Sequence, residues 1–177
     1  LNSVSKAKKW IDEDILGNYG TDYRIHIVRV KKNIQCVHQA CIEKGVIFKN
    51  HTSENRITQN ELSELFNRDM NRHIVIGIKG FFRRANLIPN NWKVRIGATH
   101  ELYTKKVDYN VQIQGLPGRM TGYWRSIIDS GHKTGPYRTS IEAVENYEAN
   151  YNDPMCENNY KTTGFTKTRG RIKTIKQ

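Results

Sequence analysis

Apolar residues along this chain switch repeatedly between a period of two and a period near 3.6. Tyr23–Val30 alternates around Ile25, Ile27 and the β-branched Val30, the signature of a strand, and Lys31-Lys32-Asn33 breaks it. From Asn33 to Lys44 the residues Ile34, Val37, Cys41 and Ile42 recur at helical spacing until Gly45 stops the run. Val46-Ile47-Phe48 predicts a short apolar strand. Thr58-Gln59-Asn60-Glu61 has the form of a capping box, and Leu62, Leu65 and Phe66 give the helix behind it a buried stripe. His73–Ile78 is the strongest buried-strand signal, followed by a basic loop or short helix over Lys79–Asn86. Lys93–Ala98 reads as another strand, Val107–Ile113 leads toward a further helix, Ser126–Gly135 is irregular, and Thr139–Tyr147 opens with a capping pattern and makes a helix. Ahead of all these, Lys6–Leu16 carries Trp10, Ile11 and Ile15 among charges and predicts a short helix, with a turn over Gly17–Asp22.

Strands alternating with helices predict an α/β fold, a mostly parallel sheet flanked by helices. In such sheets ligands meet the loops after the carboxyl ends of the strands. That rule singles out Lys31-Lys32, Asn50-His51-Thr52-Ser53, Lys79-Gly80 and Ala98-Thr99-His100. The organisation expected is a lead-in segment over 1–22, a lobe over 23–150 and a polar, basic C-terminal extension over 151–177. Within the extension, Lys161, Lys167, Arg169, Arg171, Lys173 and Lys176 stand with no acid among them from Lys161 onward.

The net charge of +12 changes the picture, because it draws polyanions to the surface. With three Trp, nine Tyr and five Phe, DNA or RNA is the expected partner. Trp92, Tyr123 and Trp124 are candidate stacking residues, with core packing the favoured role for Trp124. Cys36, Cys41 and Cys156 form neither a disulfide framework nor a zinc spacing; Cys36 and Cys41 read as core thiols, and an intracellular, reducing setting in cytoplasm or nucleus is expected. His26, His38, His51, His73, His100 and His132 lack ligand spacing, so no metal site is expected. Asn50-His51-Thr52 matches a glycosylation sequon that arises often by chance. No run of 18 apolar residues occurs, so no membrane partner is expected. The chain opens on Leu1 rather than Met, as expected of a fragment or a processed chain.

Two ordered segments carry the most specific signal. Gln114-Gly115-Leu116-Pro117-Gly118-Arg119-Met120-Thr121-Gly122-Tyr123 places a Gln ahead of a Gly-Arg pair. Upstream, Ile74–Ile78 runs into Lys79-Gly80-Phe81-Phe82-Arg83-Arg84-Ala85-Asn86-Leu87-Ile88-Pro89. The first resembles motif VI and the second motif V of superfamily 2 helicases; Tyr23–Asn33 resembles their motif IV strand and loop. The Gly-Tyr ending is similar to a variant found in divergent viral and phage helicases, which implies a virus-encoded chain. The resemblance covers Tyr23 to Tyr123 and implies a second RecA-like lobe. It makes Arg119 the candidate arginine finger, with Gln114, Gly118 and Arg84 near ATP, and Arg29, Lys31, Lys32, Lys79, Gly80 and Thr99 on the nucleic-acid backbone. A guanidinium suits the finger role because its planar fork matches the charge spread over transferring phosphoryl oxygens. The sequence departs from the family where Gln114 and Gly118-Arg119 are one residue further apart than usual, where Gly122 stands at a position commonly occupied by a second Arg, and where Ala85 and Leu87 replace the usual Gly and Asp.

No Gly-rich phosphate loop with its Lys-Ser/Thr ending is present, and no acidic box that would hold Mg²⁺. ATP and Mg²⁺ are therefore expected to be held by a first lobe outside these residues, and this chain alone is expected not to hydrolyse ATP. Two other readings compete. A non-catalytic basic nucleic-acid-binding module explains the charge but not the ordered motif pair. A nuclease would need clustered carboxylates, and Asp12, Glu13 and Asp14 are neighbours that diverge on a helix.

Overall fold

In the computed structural model, described over residues 1–80, 88–102, 112–113, 115–116, 120, 135–153 and 155, five strands form one parallel sheet in the order β2-β3-β1-β4-β5. The strands are β1 (Ile25–Arg29), β2 (Ile47–Thr52), β3 (Ile74–Lys79), β4 (Ile96–His100) and β5 (Tyr137–Arg138). The helices are α1 (Val4–Trp10), continued by a π-helical turn over Ile11–Leu16 and by α2 (Gly17–Tyr19), then α3 (Ile34–Glu43), α4 (Gln59–Asn67), α5 (Asn90–Lys93) and α6 (Ile141–Asn152). This is the α/β arrangement expected, a parallel sheet flanked by helices and consistent with a RecA-like layout.

Period-two alternation divides the strand side chains between two cores. Ile25, Ile27, Ile74, Ile76, Ile78 and Ile96 pack with Leu62, Leu65 and Phe66 of α4 and with Trp92. On the other face Val28, Val30, Val75 and Ala98 pack with Ala7, Trp10, Ile11, Ile15, Val37 and Cys41. Such two-sided burial explains why β3 reads as a continuous apolar run. The expected capping box is in place: Thr58 Oγ1 accepts from the Glu61 amide at 3.2 Å, and the Thr58 amide donates to Glu61 Oε2 at 2.7 Å.

Several boundaries differ from expectation. The 1–22 segment is a helical layer of the fold, with Trp10, Ile11 and Ile15 at most 2% exposed; its apolar stripe covers the valines of the sheet. The strand expected at Val46–Phe48 continues to Thr52, because pairing with β3 holds its polar end in register up to Thr52 opposite Lys79. The strand expected from Lys93 begins at Ile96, after the short helix α5. Tyr137–Arg138 adds a strand where none was foreseen; two residues carry too little pattern to reveal it. The last helix runs to Asn152, beyond the expected Tyr147. Trp92 is no stacking platform: it is 6% exposed and lies flat on Phe66, with centroids 4.6 Å apart. Cys41 is buried as expected, whereas Cys36 is only partly covered.

Candidate nucleic-acid interface at the carboxyl edge

The strands that carry the candidate contacts are neighbours. β1 lies between β3 and β4, and all three run parallel, so their carboxyl ends emerge on one edge. Arg29 is in register with Ile78, and the Val30 amide donates to the Ile78 carbonyl at 2.9 Å. The Lys31-Lys32 turn and the Lys79-Gly80 turn therefore leave the sheet side by side. Lys31 and Lys32 are exposed, and the Lys31 amide donates to Asn33 Oδ1 at 2.8 Å, which shapes the turn ahead of α3. Gly80 is exposed with φ of +86°, a left-handed backbone that disfavours any residue with a Cβ.

The other candidates are held more tightly. Lys79 forms an exposed ion pair with Glu54 at 3.2 Å, weak enough to be exchanged for a phosphate. Arg29 Nε is paired with Glu101, whose side chain is 5% exposed, so its charge is already balanced at this edge. Thr99 is 2% exposed and its amide donates to the Pro136 carbonyl; its side chain belongs to the interior of the sheet. Arg84, Gln114, Gly118 and Arg119 lie outside the described residues, as do Tyr123, Trp124, Cys156, His132 and the extension from 156 on.

At the same edge β2 contributes a feature that the residue types alone did not reveal. Thr52, in register with Lys79, is 2% exposed, and its Oγ1 has no hydrogen-bond partner among the described residues. The Asn50 Oδ1, two residues earlier on the same face, is likewise buried and unpartnered. Each such orphan costs about 1–3 kcal/mol relative to a satisfied group. The carboxyl-end rule had pointed to this loop, but only the register shows which side chains are orphaned.

The opposite, amino edge is polar, and its two histidines are hydrogen-bonded at both ring nitrogens. A shift in register between β1 and β4 frees the Ala98 amide from the ladder, and it donates to His26 Nδ1 at 2.9 Å. His26 Nε2 then carries the proton and faces His73 Nδ1 at 3.1 Å; His73 Nε2 reaches the Gly20 carbonyl at 2.9 Å. Burial first, then His73 and Arg24, hold the His26 pKa well below its ordinary value. A Cβ on Gly97 would sit 2.6 Å from His26 Cε1, so glycine is required for this approach.

No protein-family model matches this chain, and no curated protein matches it. Among the described residues no group of His, Cys, Asp or Glu is arranged to hold a metal ion, and no helix is long and apolar enough to cross a membrane. The three carboxylates weighed for a nuclease are engaged elsewhere: Asp12 with Lys44 at 2.7 Å, and Glu13 and Asp14 with Arg138 at 2.8 and 2.6 Å.

Proposed function

We propose that this chain is the second lobe of an ATP-dependent superfamily 2 helicase or translocase. It binds the nucleic-acid backbone along the carboxyl edge and supplies Arg119 to ATP and Mg²⁺ held by a first lobe. The observation that supports this reading best is adjacency. The turn assigned to motif IV, Lys31-Lys32, and the turn assigned to motif V, Lys79-Gly80, leave neighbouring parallel strands on one edge. Exposed ammonium groups and a left-handed glycine suit sequence-independent contact with phosphates, where lysine acts as a point charge. Arg29 and Thr99 are better read as parts that stiffen this edge than as contacts.

Salt-dependent binding tests the interface. Full-length protein should lose affinity for a single-stranded oligonucleotide linearly in log salt, and Lys31→Ala, Lys32→Ala and Lys79→Ala should each flatten that slope by about one counterion. The motor role is tested by Arg119→Ala in a protein that contains both lobes. Turnover should fall by about 10³-fold or more with nucleic-acid binding retained. Unchanged turnover would remove the motor assignment and leave a basic nucleic-acid-binding module.

A further inference from the structure

One face of the molecule runs against its overall charge. Across Thr139–Asp153 the sequence carries Glu142, Glu145, Glu148 and Asp153 and no Lys or Arg, in a chain of net charge +12. None of these four carboxylates forms an ion pair with a described residue. The last turn of α6 also lacks a basic residue, so the negative end of its dipole is left uncompensated.

The same helix leaves large apolar side chains uncovered by any described residue. α6 has 12 residues, about 18 Å of helix. Its inner face is anchored by Ala143 and Asn150, at 0% and 9% exposure. On its outer side Ile141, Val144, Glu148 and Tyr151 follow i, i+3, i+7, i+10 spacing. Ile141, Tyr151 and the following Met155 are 74%, 81% and 76% exposed; elsewhere among the described residues only Ile42 exposes a large apolar side chain so fully. Between this stripe and β5 lies an open groove of about 520 Å³ lined by Ile113, Tyr137, Val144, Tyr147, Glu148 and Tyr151.

We propose that the groove between α6 and β5 docks a Lys/Arg-rich segment of another protein, whose apolar side chains enter the tyrosine-lined cavity while its cations meet Glu145, Glu148 and Asp153. Charge complementarity selects this occupant. Nucleic acid is repelled by four carboxylates, and an acidic or neutral segment would leave them and the helix terminus unpaired at the interface. The net charge of +12 disfavours a cationic segment elsewhere on the chain, so binding is steered to this face. The inference does not depend on the motor reading.

The test uses the full chain and two synthetic amphipathic peptides, one of Leu and Lys and the same peptide with every Lys replaced by Glu. The Leu/Lys peptide should bind, with hydrogen-exchange protection confined to residues 137–153 and the neighbouring Ile113. The double variant Glu145→Lys/Glu148→Lys should weaken binding by about tenfold or more, and Tyr151→Ala by about tenfold. These exposed positions leave the fold intact, which circular dichroism checks, and oligonucleotide binding should be unchanged. Equal binding of the Leu/Glu peptide, protection elsewhere, or unchanged affinity in both variants overturns the proposal. Replacement of Arg169, Arg171, Lys173 and Lys176 by Gln gives one more outcome. A tenfold gain in peptide affinity would mean that the chain's own extension fills the groove, and the proposal of a separate partner would fail.

Discussion

Acid should unfold this protein earlier than its carboxylates alone would, because of histidines built into it uncharged. His26 uses both ring nitrogens: Nδ1 accepts the Ala98 amide at 2.9 Å and Nε2 faces His73 Nδ1 at 3.1 Å. A second proton on His26 would have to sit on Nδ1, directly opposite the Ala98 N–H. His100 is also held down, to about 4, chiefly by burial. Both folded pKa values lie below the unfolded value of 6.5, so as pH falls the unfolded chain takes up protons that the folded chain refuses. The stability is present above about pH 6.5 and is lost below it. From pH 7 to pH 5 His100 alone should remove roughly 2 kcal/mol, a large part of a typical total of about 5–15 kcal/mol, and His26 acts in the same direction. His51, lowered by burial and by Arg56, acts in the same direction. Urea titrations followed by tryptophan fluorescence, repeated from pH 7.5 to pH 5, give the slope directly. His26→Gln should be less stable at pH 7 but should flatten the acid slope, by at most about 1.4 kcal/mol per pH unit, the share of one whole proton. The same slope in variant and parent would refute the assignment of His26 as a locked neutral group.

Three further outcomes follow from named contacts. Arg138→Ala should destabilise the fold by about 1–3 kcal/mol by urea midpoint, because Asp14 is 5% exposed and loses its paired guanidinium; adding Asp14→Asn should recover part of the loss. Gly97→Ala should cost about 1–3 kcal/mol in the same assay, since its methyl would fall 2.6 Å from His26 Cε1, while Gly20→Ala meets no atom within 4 Å and costs only its backbone strain. The 177-residue chain should show no ATP hydrolysis above background in a phosphate-release assay, and robust turnover would contradict the division of labour between lobes.

Elements that bury two faces were legible in the sequence, and so was the capping box of α4. Ile74–Ile78 could hardly be anything but a central strand, and Leu62, Leu65 and Phe66 fixed the inward face of α4. The rule about carboxyl ends named segments that the sheet gathers on one edge. What residue types could not show was register and neighbourhood. Arg29 carries the same charge as Lys31, yet β1 and β4 place it against Glu101, which arrives from 72 positions later in the chain. Thr99 and Thr52 are both polar residues near strand ends, yet both are 2% exposed, and only Thr52 has an orphaned hydroxyl at the edge. Trp92 was weighed as a base-stacking residue because nothing local reveals that Phe66 lies under it. Lys6–Leu16 reads as a helix with an apolar stripe among charges; only the valine face of the sheet shows what that stripe covers.

The two edges of the sheet are built to opposite specifications, and this bears on which edge carries function. At the amino edge every ring nitrogen of His26 and His73 has a partner, glycine permits the close approach, and Arg24 is tied to Asp22 at 2.7 Å and to the Val94 carbonyl at 2.6 Å. Such closure leaves a ligand little to gain. At the carboxyl edge, Lys31 and Lys32 are exposed, Lys79 makes a surface ion pair, and two buried oxygens of β2 lack donors among the described residues. Phosphates would supply acceptors for the ammonium groups. A structure with single-stranded nucleic acid bound should therefore show the strand across the ends of β2, β3 and β1. A strand found at the amino edge would mean that unsatisfied polarity is no guide to function in this molecule.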